Sequence, residues 1–394
     1  MRFVKKRISA LIAFCFLFFS FGLSAFAAKP GVSAKSAVLM CVESGEVLYS
    51  KNPDQCLPMA STTKIMTSLI ALEACVPEME ITVTKEMVSV EGTSMGLVPG
   101  DSVSMKELIY GMLLQSGNDA ANTVACVLSG SPDAFAELMN KRASEIGMKN
   151  THFVTASGLD SENHYSTAYD MALLACESMK NPEFAWICSQ KNARLTYGNP
   201  PYARTLTNHN RLLWSYSDAV GIKTGFTKKS GRCLVSAAER DGITLVAVTL
   251  NAPDDWNDHI SMFEYGFSKC RGVPVKCDLS SASVSVVGGE NSSVSVRLLY
   301  EPYWIEGEVC YCRVMLRPFE YAPILEGDIL GTAVFETADN KVIDSVPVVS
   351  AESVSIKETV SGESEINNMQ KSGFFSRIIS KIKDFFRGEP IGGK

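Results

Sequence analysis

The amino-acid sequence predicts an α+β fold in which one antiparallel sheet packs against a helical region, followed by a small all-β domain and an amphipathic tail helix. Residues 36–52 alternate between apolar and polar side chains and break at an ESG turn, a pattern typical of a β-hairpin. Helical periodicity dominates from about residue 61 to residue 180, and strand patterns return from Val220. Strands at both ends with helices between them favour one antiparallel sheet covered by helices.

The chain of 394 residues is long enough for two domains with appended segments. Changes in composition and pattern divide it into five predicted parts. They are a signal peptide (1–27), a large α+β domain (28–272), a small β domain (273–358), a linker (359–373) and an amphipathic tail (374–394).

The first 27 residues have the three-part pattern of a secretory signal. The basic stretch MRFVKKR precedes the apolar run ISALIAFCFLFFSFGL, and the AFA that follows is a small-x-small cleavage site. The apolar run of about 16 residues is shorter than the roughly 20 that a membrane-spanning helix needs. We therefore expect export and a mature chain that starts near Ala28, with an uncleaved anchor as the alternative.

Local signals place both helices and strands within the large domain. The stretch SPDAFAELMNKRASEIGMKN begins with Ser131 as N-cap and Pro132 at the first helical position, and Gly147 closes it. After residue 220 the strand patterns AVGIKTG, RCLVSAAE and ITLVAVTL follow one another, and RDG between the last two is a turn signal. These signals predict helices first and a group of adjacent strands afterwards.

Two further patterns follow Gly272. The stretch ASVSVVGGENSSVSVRLLYE alternates strictly across a GGEN turn, which predicts the small all-β domain. The 14 residues FFSRIISKIKDFFR, at 374–387, place apolar side chains on one helical face and basic ones on the other. Such a helix reaches about 21 Å, too short for a bilayer core of about 30 Å but suited to lying in its interface. We predict contact with a membrane surface; a helix docked on the protein itself is the alternative.

Composition excludes two classes of function. The net charge of −6 leaves no basic surplus to neutralise phosphates, so we expect no nucleic-acid partner. The 12 cysteines form no CxxC pair and the four histidines no HExxH spacing, so we expect no metal site.

A serine and a lysine stand one turn apart at the start of an apolar helical pattern. In MASTTKIMTSLIALE, Ser61 precedes Lys64 by three residues, so both side chains emerge on one helix face. A lysine at its ordinary pKa of about 10.4 is almost fully charged at pH 7, but burial and a nearby cation favour its neutral form. A neutral Lys64 could take the proton of Ser61, which predicts a nucleophile and its base. The spacing alone is weak, because it recurs at Ser380 and Lys383 in the tail.

Two further segments strengthen this interpretation. QSGNDAAN places Ser116 and Asn118 between two predicted helices, where a hydroxyl and an amide could face a ligand. GIKTGFT places Lys223, Thr224 and Gly225 on a strand, where the glycine would let a ligand backbone lie against the strand edge. Alone, these segments read as a helix-capping turn and a strand with an exposed lysine. Three such segments in this order are far from a chance arrangement.

Together STTK, SGN and KTG resemble the active-site motifs of penicillin-binding proteins and serine β-lactamases. PGDSVSMKELIYGMLLQSGNDAAN and GIKTGFTKKSGRCLVSAAERDG are closely similar to low-molecular-mass serine-type D-alanyl-D-alanine carboxypeptidases of the peptidase S11 type. The resemblance covers about residues 33–270 and implies a β-lactamase/transpeptidase-like catalytic domain at 28–272. The small β domain and the tail also match that group, which implies an exported cell-wall enzyme held peripherally on the outer face of the cytoplasmic membrane.

The resemblance also implies a reaction. The substrates would be peptidoglycan stem peptides ending in D-Ala-D-Ala, and β-lactam antibiotics would acylate the same serine. Ser61 would attack the carbonyl between the two D-alanines with Lys64 as base, and the backbone N–H groups of Ser61 and Phe226 would form the oxyanion hole. Ser116 and Asn118 would relay a proton to the leaving D-alanine and hold the substrate amide.

The third motif would bind the end of the substrate. Lys223 and Thr224 would hold the terminal carboxylate, Lys223 would lower the pKa of Lys64, and Gly225 would keep the strand edge open. Water would release the acyl-enzyme, with neither a metal nor an organic cofactor. The shortened stem peptide could no longer donate a D-alanine-terminated end, so cross-linking would be limited.

Some positions depart from the relatives, and some alternatives stay open. Gly117 stands where class A β-lactamases usually have aspartate, and no ExxLN segment is present, so we expect slow release of β-lactams rather than efficient hydrolysis. His209 stands between two asparagines where some relatives have arginine. A Ser-His-Asp hydrolase has no GxSxG elbow to support it. The other hypotheses for the function are an endopeptidase that acts on cross-links and a non-catalytic sensor.

Overall fold

The structure, a computed structural model, describes residues 29–74, 76 and 78–357. The chain divides into two compact units. The first reaches to Val275 and also includes Tyr303–Glu308; the second comprises Lys276–Pro302 and the chain from Val309 onward. The sequence predicted a single boundary at residue 273. In the structure, the chain returns briefly to the first unit at Tyr303–Glu308.

The first unit contains a 3-10 turn at Ala60–Thr63, which leads directly into the first α-helix. Its helices are α1 (Lys64–Glu73), α2 (Lys85–Val88), α3 (Met105–Leu113), α4 (Asn118–Ser129), α5 (Pro132–Ile146), α6 (Ala168–Met179), α7 (Pro182–Ser189), α8 (Leu212–Ser215) and α9 (Asp255–Phe267). Its strands are β1 (Ser36–Cys41), β2 (Val47–Lys51), β3 (Glu80–Thr82), β4 (Ser102–Ser104), β5 (Asn192–Gly198), β6 (Pro201–Thr207), β7 (Ala219–Thr227), β8 (Gly231–Arg240), β9 (Ile243–Leu250), β10 (Gly272–Pro274) and, after the return, β13 (Tyr303–Ile305).

The main sheet of this unit is antiparallel and has the strand order β2-β1-β9-β8-β7. The N-terminal hairpin therefore joins the later strands through β1 and β9, with Val38 opposite Val248. This confirms the predicted sheet built from both ends of the domain. The order also leaves β7 as an edge strand.

Two apolar cores cover the two faces of this sheet. Val38 and Met40 of β1 belong to the core that contains α1, whereas Leu39 belongs to a second core with Phe263 of α9. Because both faces are covered, β9 is buried along almost its whole length. The predicted helical region accounts for one face, and α9 covers the other.

The predicted helix ends and turns are found in the structure. The Ser131 hydroxyl accepts a hydrogen bond from the Ala134 N–H, Pro132 starts α5, and Gly147 ends it with a left-handed φ of 93°. The RDG turn joins β8 to β9, and the chain turns between β1 and β2 at the predicted ESG. These local signals were sufficient because capping and turn formation depend on neighbouring residues alone.

The second unit is a β structure, as predicted. Its strands are β11 (Ser283–Val287), β12 (Ser293–Leu298), β14 (Tyr311–Leu316), β15 (Phe319–Tyr321), β16 (Ile329–Glu336) and β17 (Val342–Ser350). They form one sheet in the order β14-β16-β17-β12-β11-β15, and the predicted GGEN turn joins β11 to β12. The predicted signal peptide (1–27) and tail (374–394) lie outside the described residues. Among the residues that the structure describes, no helix has the length and apolar character to cross a membrane.

Candidate active site

Ser61 lies in the 3-10 turn that precedes α1, and Lys64 is the first residue of the helix. The two side chains meet as the sequence predicted, because three residues in this turn cover about one revolution. Lys64 is fully buried, whereas Ser61 is partly exposed. A hydroxyl at the surface is therefore paired with an amine from the interior.

Three oxygen atoms surround the Lys64 amine. Its Nζ is 2.9 Å from Ser61 Oγ, 2.7 Å from Asn118 Oδ1 and 2.6 Å from the backbone carbonyl oxygen of Ser157. No carboxylate is among these partners. The site thus satisfies the hydrogen bonds of the amine without an ion pair that would hold it charged.

Electrostatics at this position favour the neutral amine. Burial lowers the pKa of Lys64 well below its usual value, and the nearby Lys223 lowers it further. Asp119 acts in the opposite direction and raises this pKa. Desolvation is the largest of these effects, so the site favours the neutral amine, the form that can accept a proton.

Asn118 begins α4 and is fixed on both sides. Its Nδ2 donates to the Glu91 carbonyl oxygen at 2.7 Å, and its backbone N–H donates to the Thr93 carbonyl oxygen at 2.7 Å. Gly92 fits between them, because a Cβ there would lie 2.6 Å from Asn118 Nδ2 and its φ is 91°. The amide oxygen of Asn118 is left to face Lys64.

Asp119 secures the loop that holds Asn118. Its carboxylate accepts hydrogen bonds from the Ser94 hydroxyl and from the backbone N–H groups of Met95, Gly96 and Leu97, at 2.6–3.1 Å. A carboxylate with four donors is a strong clamp. The loop that touches Asn118 is therefore bound to the residue next to it.

The third motif lies on the edge strand β7. Lys223 is buried, its Nζ donates to the Thr224 carbonyl oxygen at 2.9 Å, and burial lowers its pKa to about 7. A Cβ at Gly225 would lie 3.0 Å from the Met59 carbonyl oxygen and 3.2 Å from the Ser61 backbone nitrogen. Glycine suits this position because the strand approaches the turn that carries Ser61 this closely.

Backbone strain accompanies all three motifs. Residues other than glycine have left-handed φ angles at Ala60 (50°), Ser116 (62°) and Ile222 (89°). The first and last of these directly precede Ser61 and Lys223, and the β-branched Ile222 is the most unusual. Such strain persists only where the surrounding structure enforces it, and it concentrates at functional sites.

A cleft of about 660 Å³ collects the exposed members of the set. Of the residues predicted from sequence, Ser61, Ser116, Thr224, Gly225 and Phe226 line it. The other three predicted residues (Lys64, Asn118 and Lys223) are buried and are not part of the lining. The remaining lining residues are Thr93, Asn208, His209, Arg211, Trp214, Arg232, Cys233, Asp255 and Trp256.

The sequence interpretation missed several of these contributors. The Ser157 carbonyl is a backbone group, so the residue type at position 157 does not predict its contact with Lys64. Arg232 and Asp255 lie in segments that read as an ordinary strand and an ordinary helix start. The aromatic residues Trp214 and Trp256 gave no motif either.

Comparisons with known proteins now bear on this geometry. The family model described as D-alanyl-D-alanine carboxypeptidase, peptidase S11, matches residues 24–254. The D-alanyl-D-alanine carboxypeptidase DacF of Bacillus subtilis is 33% identical over 402 residues, covering 96% of this chain and 99% of DacF. The chain belongs to the peptidase S11 family. It is therefore a serine-type hydrolase of the D-alanyl-D-alanine carboxypeptidase group, and the resemblance stated from its motifs is confirmed.

Solved structures of S11 enzymes confirm the predicted fold class. The carboxypeptidase DacD of Francisella tularensis is 28% identical with a TM-score of 0.58, covering 84% of this chain and 96% of that one. The Streptomyces K15 DD-transpeptidase is 31% identical with a TM-score of 0.58, covering 61% of this chain and 99% of that one. The second similarity shows that the catalytic unit alone accounts for a complete transpeptidase-type domain.

Proposed function

We propose that this S11 enzyme removes the terminal D-alanine from peptidoglycan stem peptides through an acyl-enzyme on Ser61. The observation that carries the proposal is the position of Lys64 Nζ between Ser61 Oγ and two other oxygen acceptors. A neutral amine has two N–H donors and one lone pair. Asn118 Oδ1 and the Ser157 carbonyl oxygen take the two donors, so the lone pair is left for the Ser61 hydroxyl proton.

Acylation then follows from this arrangement. Ser61 Oγ attacks the carbonyl carbon between the two D-alanines while its proton passes to Lys64 Nζ. The carbonyl oxygen becomes an oxyanion, and the backbone N–H groups of Ser61 and Phe226 are the proposed donors. The close approach of Gly225 to the Ser61 nitrogen supports a common position for these two groups.

Collapse of this intermediate breaks the peptide bond. The proton held by Lys64 passes by way of Ser116 to the nitrogen of the departing D-alanine, and Asn118 holds the substrate amide. Ser116 supports this role because it lines the cleft with a strained backbone, and Asn118 because it also contacts Lys64. Lys223 and Thr224 are the proposed carboxylate site, and water hydrolyses the ester with Lys64 again as base.

The same serine would react with β-lactams. Attack on the lactam carbonyl opens the ring, but the nitrogen that leaves stays tethered to the acyl group and cannot diffuse away. Gly117 leaves no carboxylate at the position where class A β-lactamases usually have aspartate. We therefore propose a penicillin-binding enzyme with slow release of the drug.

The central test compares two serines on the same segment. A peptide ending in D-Ala-D-Ala is incubated with the enzyme, and free D-alanine is measured. Ser61→Ala should abolish release and covalent labelling by penicillin, a loss of about 10⁴-fold or more. Ser68→Ala is the matched control, because the Ser68 hydroxyl is buried one turn beyond Lys64 without a hydrogen-bond partner in the described structure.

Each outcome of this test is informative. Release that survives Ser61→Ala removes the proposed nucleophile. Penicillin labelling without D-alanine release would favour a sensor, and cleavage of cross-linked dimers in preference to the pentapeptide would favour an endopeptidase.

Export and peripheral membrane attachment complete the proposal. They rest on the signal pattern of residues 1–27 and on the apolar and basic faces of residues 374–387. Deletion of residues 374–394 should release the mature protein from vesicles that contain anionic lipid and leave D-alanine release from soluble peptide unchanged. Vesicle binding that persists after the deletion would refute the attachment site.

A further inference from the structure

The lining of the cleft includes charged and aromatic residues that do not belong to the three motifs. Arg232 and Asp255 lie there with Trp256, and Arg211 and Trp214 of the α8 region line the same cleft. Arg232 comes from the start of β8 and Asp255 from the start of α9. The cluster thus joins two elements that are separate in sequence.

The sheet register places Arg232 beside the third motif. Arg232 is paired with Phe226, and Leu234 is paired with Thr224. Paired residues of antiparallel strands point to the same face, and so do residues two apart along a strand. Thr224, Phe226 and Arg232 therefore share one face of the sheet, and all three line the cleft.

The Arg232 guanidinium is held in place by Asp255. Its Nε and Nη2 donate to Asp255 Oδ1 at 3.0 and 2.6 Å, and it lies over the Trp256 ring with 5.3 Å to the ring centroid. The Asp255 side chain is only 4% exposed, whereas that of Arg232 is 41% exposed. A guanidinium has five N–H donors, and within the described residues Nη1 has no hydrogen-bond partner. Arg232 is therefore an oriented cation with donors left for a ligand.

The other cations near this position are less suited to holding an anion. Burial lowers the pKa of Lys223 to about 7, so its charge is partly lost at neutral pH. Burial and the nearby Lys223 lower the pKa of His209, which is thus neutral at pH 7. An arginine keeps its charge at every physiological pH and matches a carboxylate with two parallel N–H groups.

We propose that Arg232 joins Lys223 and Thr224 in the proposed carboxylate site, supplies its permanent positive charge and sets the preference of this enzyme for peptides with a free C-terminus. Asp255 is a positioning residue that holds Arg232 beside Thr224. This inference rests on the proposed carboxypeptidase function and names the residue that recognises the substrate end. His209, in the loop after β6, occupies the position at which some relatives have an arginine, and Arg232 supplies a cation from the start of β8.

The experiment compares two substrates on several variants. One peptide ends in D-Ala-D-Ala with a free carboxylate, and the other carries the same sequence as a C-terminal amide. Loss of a hydrogen bond to a charged group costs about 10- to 100-fold. Arg232→Ala should lower kcat/KM for the carboxylate peptide by about that factor and change the amide peptide by less than about threefold. Arg232→Lys should recover part of the preference.

Arg211→Ala is the matched control. It removes the same charge from the lining of the same cleft, but the structure gives Arg211 no ion pair in the described part of the chain. The preference for the carboxylate peptide should survive in this variant. Loss of the preference in Arg211→Ala and its survival in Arg232→Ala would overturn the assignment.

Asp255→Asn tests the positioning role. It should raise KM for the carboxylate peptide with little change in kcat, and it should leave the amide peptide unaffected. Equal losses on both substrates would show that Asp255 only maintains the fold and would refute the positioning role.

Failure of this inference is distinguishable from failure of the proposed function. Complete labelling of each variant by penicillin at long times shows that Ser61 and the fold are intact. A wild-type enzyme that releases no D-alanine from either peptide would refute the carboxypeptidase function itself. If the wild-type enzyme releases D-alanine and the preference for the carboxylate peptide is equal in wild type, Arg232→Ala and Arg232→Lys, only the role of Arg232 is refuted.

Discussion

The residue behind Ser61 and the cation in the cleft lining hold positive charge in opposite ways. Behind Ser61, Lys64 is fully buried and its three partners are a hydroxyl, an amide oxygen and a carbonyl oxygen. In the cleft lining, Arg232 is partly exposed and is paired with the carboxylate of Asp255. The first environment favours the neutral form of its residue, and the second retains a cation. One site can therefore combine a neutral amine with a permanent cation.

The fold explains this difference. Lys64 starts α1, which runs into the large apolar core between the sheet and the helices. Arg232 lies at the exposed start of β8, beside the first turn of α9, where Asp255 is placed. Desolvation decides the state of the lysine, whereas the guanidinium stays protonated in either place. The residue types and their burial are thus matched to their proposed roles.

The largest effect is expected from Lys64→Arg, which places a permanent cation at the buried position. Arginine cannot accept the Ser61 proton at any accessible pH. We expect kcat/KM for D-alanine release to fall by at least about 10³-fold, as for loss of a general base. The rate of acylation by a fluorescent penicillin should fall by a similar factor, and it is measured from pH 6 to pH 10. A variant that keeps more than about a tenth of the activity would show that Lys64 is not the base.

A smaller effect concerns the stability of the catalytic unit. Lys223→Met keeps the length of the side chain and removes its charge. Lys223 has a pKa of about 7 when folded and about 10.4 when unfolded, so between these values the unfolded chain binds the extra proton and stability rises with pH. Below pH 7 the burial penalty is fully present. The variant should therefore be more stable than wild type by about 2–4 kcal/mol at pH 6, and the gain should fade toward pH 10.

Urea unfolding at pH 6, 8 and 10 checks this prediction. The four tryptophans of the chain all lie in the first unit, so their fluorescence reports its unfolding alone. Lys229→Met is the control, because Lys229 is an exposed lysine of the turn after β7. A gain for Lys223→Met that is the same at all three pH values would show that packing, and not the buried charge, is responsible.

Much of the fold could be predicted from local pattern. The period of two in residues 36–52 and after Val220 predicted the strands, and Ser131 and Gly147 marked the ends of α5. The order of the strands and the second core under α9 could not be predicted, because they depend on contacts between distant segments. The return of Tyr303–Glu308 to the first unit is another such contact.

The same limit applies to the site. Ser61 and Lys64 are three residues apart, and an apolar helix next to them already predicts a buried amine. The third partner of that amine is the carbonyl oxygen of Ser157, 93 positions away, and a backbone atom leaves no trace in residue type. Arg232 and Asp255 are an ordinary strand residue and an ordinary helix-start residue until the fold joins them. Local pattern predicted Ser61 and Lys64 as the reacting groups, and tertiary structure was needed to find the groups that surround them.

The smallest expected effect separates the two charges that act on Lys64. Lys223 lowers the pKa of Lys64, and Asp119 raises it. Acylation needs the neutral amine, so its rate rises with pH as Lys64 loses its proton. Lys223→Met should therefore move this acid limb to higher pH, and Asp119→Asn, which keeps an oxygen for the loop N–H groups, should move it to lower pH. Penicillin acylation rates from pH 5 to pH 9 give both limbs. Weaker binding lowers the plateau without moving the limb, so shifts in the same direction would mean that a group other than Lys64 controls the rate.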